Sequence, residues 1–254
     1  MKFNLSILLL AVILTACREN GLELDRSACA EPGAIQNDRV PGPTQDFDVS
    51  FDVYLPPCYD DLKDVHFPVI YLLTMPYEPQ LEGNANTPMS LADRLIRAGK
   101  LPPVIIIVPE DTVAQGYHAA LALDLVPYVD EKYNTLRERN FRGVGGISHG
   151  AGIAARMAFQ FPELFGSLGV FSGGIAEIEK PTFGGWIDAS EDRPRVLISI
   201  GDQDGIMPYT QNLMDVFEAK AVPYELTIEP GGHSLDFWSA HMETYLRWFA
   251  EAWE

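Results

Sequence analysis

The sequence predicts an α/β fold with a mostly parallel central sheet covered by helices on both faces. Three observations carry this. From Phe47 onward, short β-rich apolar segments alternate with amphipathic helical segments, the pattern of repeated strand–helix–strand units. Two of the strand-like segments, 67–73 and 104–108, are apolar almost throughout, which suits strands buried on both faces. Glycines and prolines cluster between the segments, where turns are needed.

Each element follows from its local pattern. Residues 47–54 alternate apolar and polar, as a half-exposed strand does, and Leu55-Pro56-Pro57 ends the run. The strand at 67–73 comes next, then a short helix over 91–98 that stops at Gly99, then the strand at 104–108. Residues 119–133 read as a helix that Pro127 should kink or restart. Residues 141–147 form a strand containing Gly143, Gly145 and Gly146, and a helix follows over 149–161 with Ile153, Met157 and Phe161 on its inner face. Strands are expected at 167–171, 195–200 and 224–228, and a helix at 210–219. The last helix, 235–253, carries Trp238, Met242, Tyr245 and Phe249 on one side.

The N-terminus reads as a targeting segment. Lys2 precedes an apolar run over 3–14 that is too short for a comfortable membrane span, and Leu14-Thr15-Ala16-Cys17 follows. That tetrad resembles the bacterial lipobox, in which a diacylglycerol is attached to the cysteine and cleavage occurs just before it. The expected organisation is a lipoprotein signal peptide at 1–16, a polar tether at 17–45 and one α/β domain at 46–254. The resemblance places the chain in the cell envelope, outside the cytoplasm, with a membrane as partner through the lipid on Cys17. Cys29 and Cys58 remain as an even pair in an oxidising compartment and are the candidate disulfide.

Hydrophobic residues make up 47% of the chain, enough for a full core of one domain. The formal net charge is −18. Such a surface repels polyanions, which argues against nucleic acid as a partner.

The chemistry-bearing residues fall at expected sheet edges. Gly146-Ile147-Ser148-His149-Gly150 fits G-x-S-x-G, with a strand running in and a helix running out. A serine on so tight a turn has its hydroxyl pushed outward, and only small neighbours fit two residues before and after. The following helix N-terminus, beginning at His149, brings positive potential to a developing oxyanion. A serine needs a base. Of the five histidines, His66 precedes a strand far from that edge, His241 lies mid-helix, and His149 adjoins Ser148 along the helix start. His118 sits in a loop that could reach the active face, where it would be a candidate substrate contact. His233 follows Pro230-Gly231-Gly232 between the last strand and last helix, the place for a base. The carboxylate that orients it is Asp202 or Asp204, in the loop after the strand at 195–200.

Together these segments resemble a known family. Phe67-Pro68-Val69-Ile70-Tyr71-Leu72-Leu73, Gly145 through Ala151, Phe161-Pro162-Glu163-Leu164-Phe165 and Pro230-Gly231-Gly232-His233 are similar to the esterase family of α/β-hydrolases, which includes esterase D, feruloyl esterases, enterochelin esterases and mycolyltransferases of the antigen 85 type. The resemblance covers roughly residues 47 to 250. It implies the three-layer α/β-hydrolase sandwich, an acyl-enzyme mechanism, and no cofactor or metal. It places the nucleophile on Ser148, the base on His233 and the acid on Asp204, three residues after Gly201. Relatives carry His-Gly after the Tyr-Leu-Leu strand, and a backbone N–H just beyond it forms half of the oxyanion hole. Here the strand runs into Thr74-Met75-Pro76-Tyr77, and Pro76 has no N–H to give. The His149 N–H supplies one donor, and Met75, Tyr77 or the Thr74 hydroxyl the other. Loops at 76–88, 111–120 and 174–192 would shape the substrate pocket, with Tyr77, Tyr117 and Trp186 as candidate walls, and Tyr117 and Trp186 suit a place in the core equally well. The expected substrates are extracytoplasmic small-molecule or oligosaccharide esters, such as acylated carbohydrate. Two other functions use the same features: acyl transfer to a sugar hydroxyl, and a degenerate hydrolase fold serving as a binding lipoprotein, which Pro76 favours.

Overall fold

In the computed structural model, the described residues are 31–42, 47–73, 87–110 and 114–253. In chain order the strands are β1 (Ala34–Val40), β2 (Val49–Leu55), β3 (Val69–Leu73), β4 (Ile105–Pro109), β5 (Arg142–Ile147), β6 (Ser167–Phe171), β7 (Arg195–Gly201) and β8 (Glu225–Glu229). They form one eight-stranded sheet in the order β1-β2-β4-β3-β5-β6-β7-β8. The β1–β2 and β2–β4 pairs are antiparallel, and every pair from β4 to β8 is parallel. The helices are α1 (Pro88–Arg97), α2 (Tyr117–Ala120), α3 (Val126–Lys132), α4 (His149–Gln160), α5 (Lys180–Asp188), α6 (Met207–Ala219) and α7 (Leu235–Ala250).

Side-chain alternation along a strand sends residues to two cores. Val69, Tyr71 and Leu73 of β3 join one core, with residues of α4, α5 and α6. Ile70 and Leu72 join the other, under α1 and α7. This two-sided burial is why the segment reads as uniformly apolar. The predicted stripe of α7 is buried as expected, with Trp238, Met242, Tyr245 and Phe249 all at or below 4% exposure. Gly143 and Gly145 of β5 face the Phe249 ring, where an added Cβ would come within 2.6 Å and 2.9 Å of it. These glycines let α7 settle directly on the sheet.

Several elements differ from the sequence expectation. Residues 34–40, assigned to the tether, are β1, paired with β2 along their whole length. The strand is mostly exposed, so no hydrophobic alternation announces it. Pairing holds it, together with Asp38, which accepts hydrogen bonds from Lys132 Nζ at 2.7 Å and Tyr133 Oη at 2.8 Å. The break expected at Pro127 is a π turn at Leu121–Leu125, just ahead of the proline. There the Val126 N–H donates to Leu121 O, five residues back, and the wider turn makes room for a ring that would clash in a regular helix. Helix α1 starts three residues early because Thr87 caps it, its side chain accepting from the Ser90 N–H at 3.1 Å. Helix α6 also begins three residues early, with Pro208 in its first turn. On α4, Ile153 and Met157 are buried as expected. Phe161 is the half-buried C-cap instead of a core residue, and alanines 151, 154, 155 and 158 complete the packed surface. Cys58 is disulfide-bonded; Cys17 and Cys29 lie outside the described residues.

One polar cluster is buried at the N-terminal end of β5. Arg142, 2% exposed, donates to Asp130 Oδ2 at 2.6 Å and to Leu164 O at 3.0 Å. Thr135 Oγ1 donates to the other Asp130 oxygen at 2.7 Å. The Tyr71 hydroxyl sits beside the guanidinium, and burial pushes its pKa up. Breaking such a pair leaves a carboxylate without its counter-ion in a poorly hydrated place. Arg142→Met is therefore expected to lower unfolding free energy by about 3–5 kcal/mol in urea titrations, and Arg142→Met with Asp130→Leu to recover most of that loss.

Candidate active site

Ser148 sits at the junction of β5 and α4 with φ 56° and ψ −118°, a conformation that costs a non-glycine residue energy. The surroundings enforce it. The Ser148 N–H donates to Phe171 O at 2.9 Å. A Cβ on residue 146 would lie 2.2 Å from the Gly150 carbonyl carbon, and one on residue 150 would lie 2.4 Å from Leu73 O. Glycine at both positions is the steric condition for the turn, and Ser148 is left partly exposed at the sheet edge.

The candidate base and acid come from the loops after the two strands at the far edge of the sheet. His233, between β8 and α7, places Nε2 2.9 Å from Ser148 Oγ. Its Nδ1 lies 3.0 Å from both oxygens of Asp204, in the loop after β7. The Asp204 side chain is fully buried and that of His233 is 28% exposed. A carboxylate only accepts, so Nδ1 carries the proton and Nε2 offers its lone pair to Ser148. Asp204 Oδ1 also accepts the Ile206 N–H at 3.0 Å, which fixes the carboxylate plane. The indole of Trp238 meets the His233 ring edge-on, with centroids 4.9 Å apart. Asp202, the competing acid, turns elsewhere and accepts the Gly231 N–H at 3.0 Å, bracing the loop that carries His233.

The other named residues divide. The His149 N–H stands at the first position of the twelve-residue α4, next to Ser148. Met75 and Tyr77, like Thr74 and Pro76, lie outside the described residues. Tyr117 and His118 line a cleft of about 470 Å³ that opens beside Ser148 and His149. Trp186 does not line it. That indole packs against Phe183 on α5, at 5.0 Å between centroids, and belongs to the core margin. Residue type alone cannot separate a pocket aromatic from a core aromatic. Sequence reasoning missed Arg156, Glu179, Ile206 and Tyr209, which also line the cleft. Arg156 was findable, since positions 149, 152, 153 and 156 share one helix face.

Chemically, the arrangement can withdraw a proton from the Ser148 hydroxyl and hold the resulting imidazolium against a buried carboxylate. The two aspartates make the geometry testable. Asp204→Asn should slow labelling of Ser148 by a fluorophosphonate by on the order of 10⁴-fold, because the amide favours the wrong imidazole tautomer. Asp202→Asn should slow it by less than about tenfold, measured by stopped-time gel fluorescence.

The fold and site agree with comparison to known proteins. A family model described as "Putative esterase" matches residues 44–249. An uncharacterized protein of Corynebacterium glutamicum is 26% identical over 172 residues, covering 61% of this chain and 39% of that protein. An endo-1,4-beta-xylanase/feruloyl esterase of Xylanibacter ruminicola is 28% identical over 152 residues, covering 51% of this chain. The chain spans only 20% of the length of that second relative. A solved ferulic acid esterase superposes with a TM-score of 0.75 at 19% identity, covering 87% of this chain and 99% of its own. With the family match spanning nearly the whole described domain, the chain belongs to the esterase family of α/β serine hydrolases.

Proposed function

We propose that the chain hydrolyses carboxylic esters through an acyl-Ser148 intermediate, on extracytoplasmic acylated carbohydrate or similar small esters. The observation that carries this reading is the unbroken hydrogen-bonded run from Ser148 Oγ through His233 to Asp204. Ser148 Oγ attacks the ester carbonyl carbon while His233 Nε2 accepts the hydroxyl proton. The tetrahedral oxyanion is met by the His149 N–H at the start of α4. His233 then returns the proton to the leaving alcohol, and the acyl group stays on Ser148. Water, deprotonated by His233, attacks the acyl carbonyl and releases the acid. The chain's own side chains supply every proton transfer in this scheme.

The substrate reading draws on the feruloyl esterase among the relatives, and on a cleft whose volume suits a small ester and not a polymer chain. The formal charge of −18 disfavours strongly anionic substrates. Placement in the cell envelope rests on the N-terminal segment and Cys17, which would carry the lipid.

Ser148→Ala is expected to reduce p-nitrophenyl ester hydrolysis by about 10⁶-fold or to background, with fluorophosphonate labelling lost. Retained labelling would transfer the nucleophile to another residue and overturn the reading. In cells fed a palmitate analogue, the wild-type chain should take up label and Cys17→Ser should not; equal labelling of both rejects the anchor.

A further inference from the structure

The cleft beside Ser148 runs along one face of α4, past His149, Gly152 and Ile153 to Arg156. At 1.5 Å per residue, position 156 lies about 12 Å along the helix from position 148. That far end is polar. Arg156 Nη2 donates to Glu179 Oε1, and the other Glu179 oxygen accepts the Ala176 N–H at 2.9 Å. Both Glu179 oxygens are thus engaged, whereas a guanidinium has five N–H donors and the Glu179 contact takes one. Arg156 Nη1 lies 2.9 Å from where a residue-152 Cβ would stand, so the glycine there is what lets the guanidinium lie against α4. His118 faces the same end, close enough to feel the charges of both Arg156 and Glu179. Burial lowers its pKa, so the ring is neutral at pH 7. Its Nε2 lies 2.8 Å from Gln160 Oε1, which takes the ring proton and leaves Nδ1 as an acceptor. The far end therefore offers donors and an acceptor with little net charge.

The direction of binding follows from the base. His233 must reach the leaving alcohol, and it is not among the residues that line the cleft. Ser148 and His149 line the cleft and His233 is absent from its described lining, so the cleft is assigned to the acyl side.

We infer that Arg156, held by Glu179 and faced by His118, is a specificity-determining subsite that reads an uncharged hydroxyl at the far end of the acyl group. The inference rests on ester hydrolysis at Ser148. A hydroxyl both accepts from Arg156 and donates to His118. A methyl group there leaves polar groups unpaired, and a carboxylate meets Glu179 with the wrong sign.

The test uses p-nitrophenyl esters of straight acyl chains of four to ten carbons, each ending in methyl, hydroxyl or carboxylate. The readout is the ratio of kcat/KM between end groups at the best chain length, with fluorophosphonate labelling of Ser148 run in parallel. The wild type should favour hydroxyl over methyl by about tenfold, the worth of one well-placed hydrogen bond. Arg156→Leu should bring that ratio to about one. Glu179→Gln, which leaves the arginine charge uncompensated, should raise the carboxylate-to-methyl ratio by about tenfold, an effect that mere loosening of the cleft cannot produce. A labelled wild type with a hydroxyl-to-methyl ratio below about two overturns the subsite and leaves the hydrolase standing. So does a wild-type preference for carboxylate, an unchanged ratio in Arg156→Leu, or no carboxylate gain in Glu179→Gln. A wild type that neither labels nor cleaves any of the series overturns the hydrolytic reading and the subsite with it.

Discussion

Ser148 holds a backbone conformation that L-residues avoid, and the rest of the site is arranged around that strain. The chain must leave β5, reverse within one residue and start α4, while Leu73 O presses on position 150 and the Gly150 carbonyl presses on position 146. Neither position admits a side chain, so the turn is set by backbone against backbone and not by flexible groups. This makes the hydroxyl's position a property of the sheet itself. Strain of this kind persists only where packing over-determines it. The buried β3–β5–β6 ladder and the closely packed α4 provide that packing.

The base and acid are coupled to each other before either meets the serine. The loops after β7 and β8 are laced together by the Asp202 N–H to Glu229 O at 2.8 Å, the Gln203 N–H to Gly231 O at 2.8 Å and the Asp202 carboxylate to the Gly231 N–H. A Cβ on Gly201 would fall 2.3 Å from Gly231 O, so the loops approach as closely as backbone allows. Asp202 and Asp204 thus divide the labour. One fixes the loop that carries the imidazole, the other fixes the imidazole. Side-chain placement to within a fraction of an ångström is what proton transfer demands.

Much of this was legible in the sequence. Strands buried on both faces declare themselves by uniform apolarity, as at 67–73 and 104–108. The elbow declares itself by glycines whose spacing has a steric cause. The choice of His233 over four other histidines followed from its place between the last strand and last helix. What escaped notice was held by pairing or by long-range packing. β1 is polar and exposed, and only its partner strand makes it a strand. Trp186 suits a core or a pocket equally on sequence, because aromatic rings serve both, and its packing on Phe183 is a contact that residue type does not encode. Arg156 and Glu179 meet across 23 residues of sequence, a contact that no local pattern records.

The strand beneath His233 has a consequence of its own. β8 is the last strand of the sheet, paired on one side only, and all five of its residues are exposed. The imidazole hangs from this border, whereas the nucleophile rises from the middle. Fraying begins at borders, where few contacts must be surrendered at once. Warming should therefore disconnect the imidazole from its partners while the interior of the sheet is still folded. Turnover should then fall before secondary structure does, and return on cooling as the surviving centre re-seats the edge.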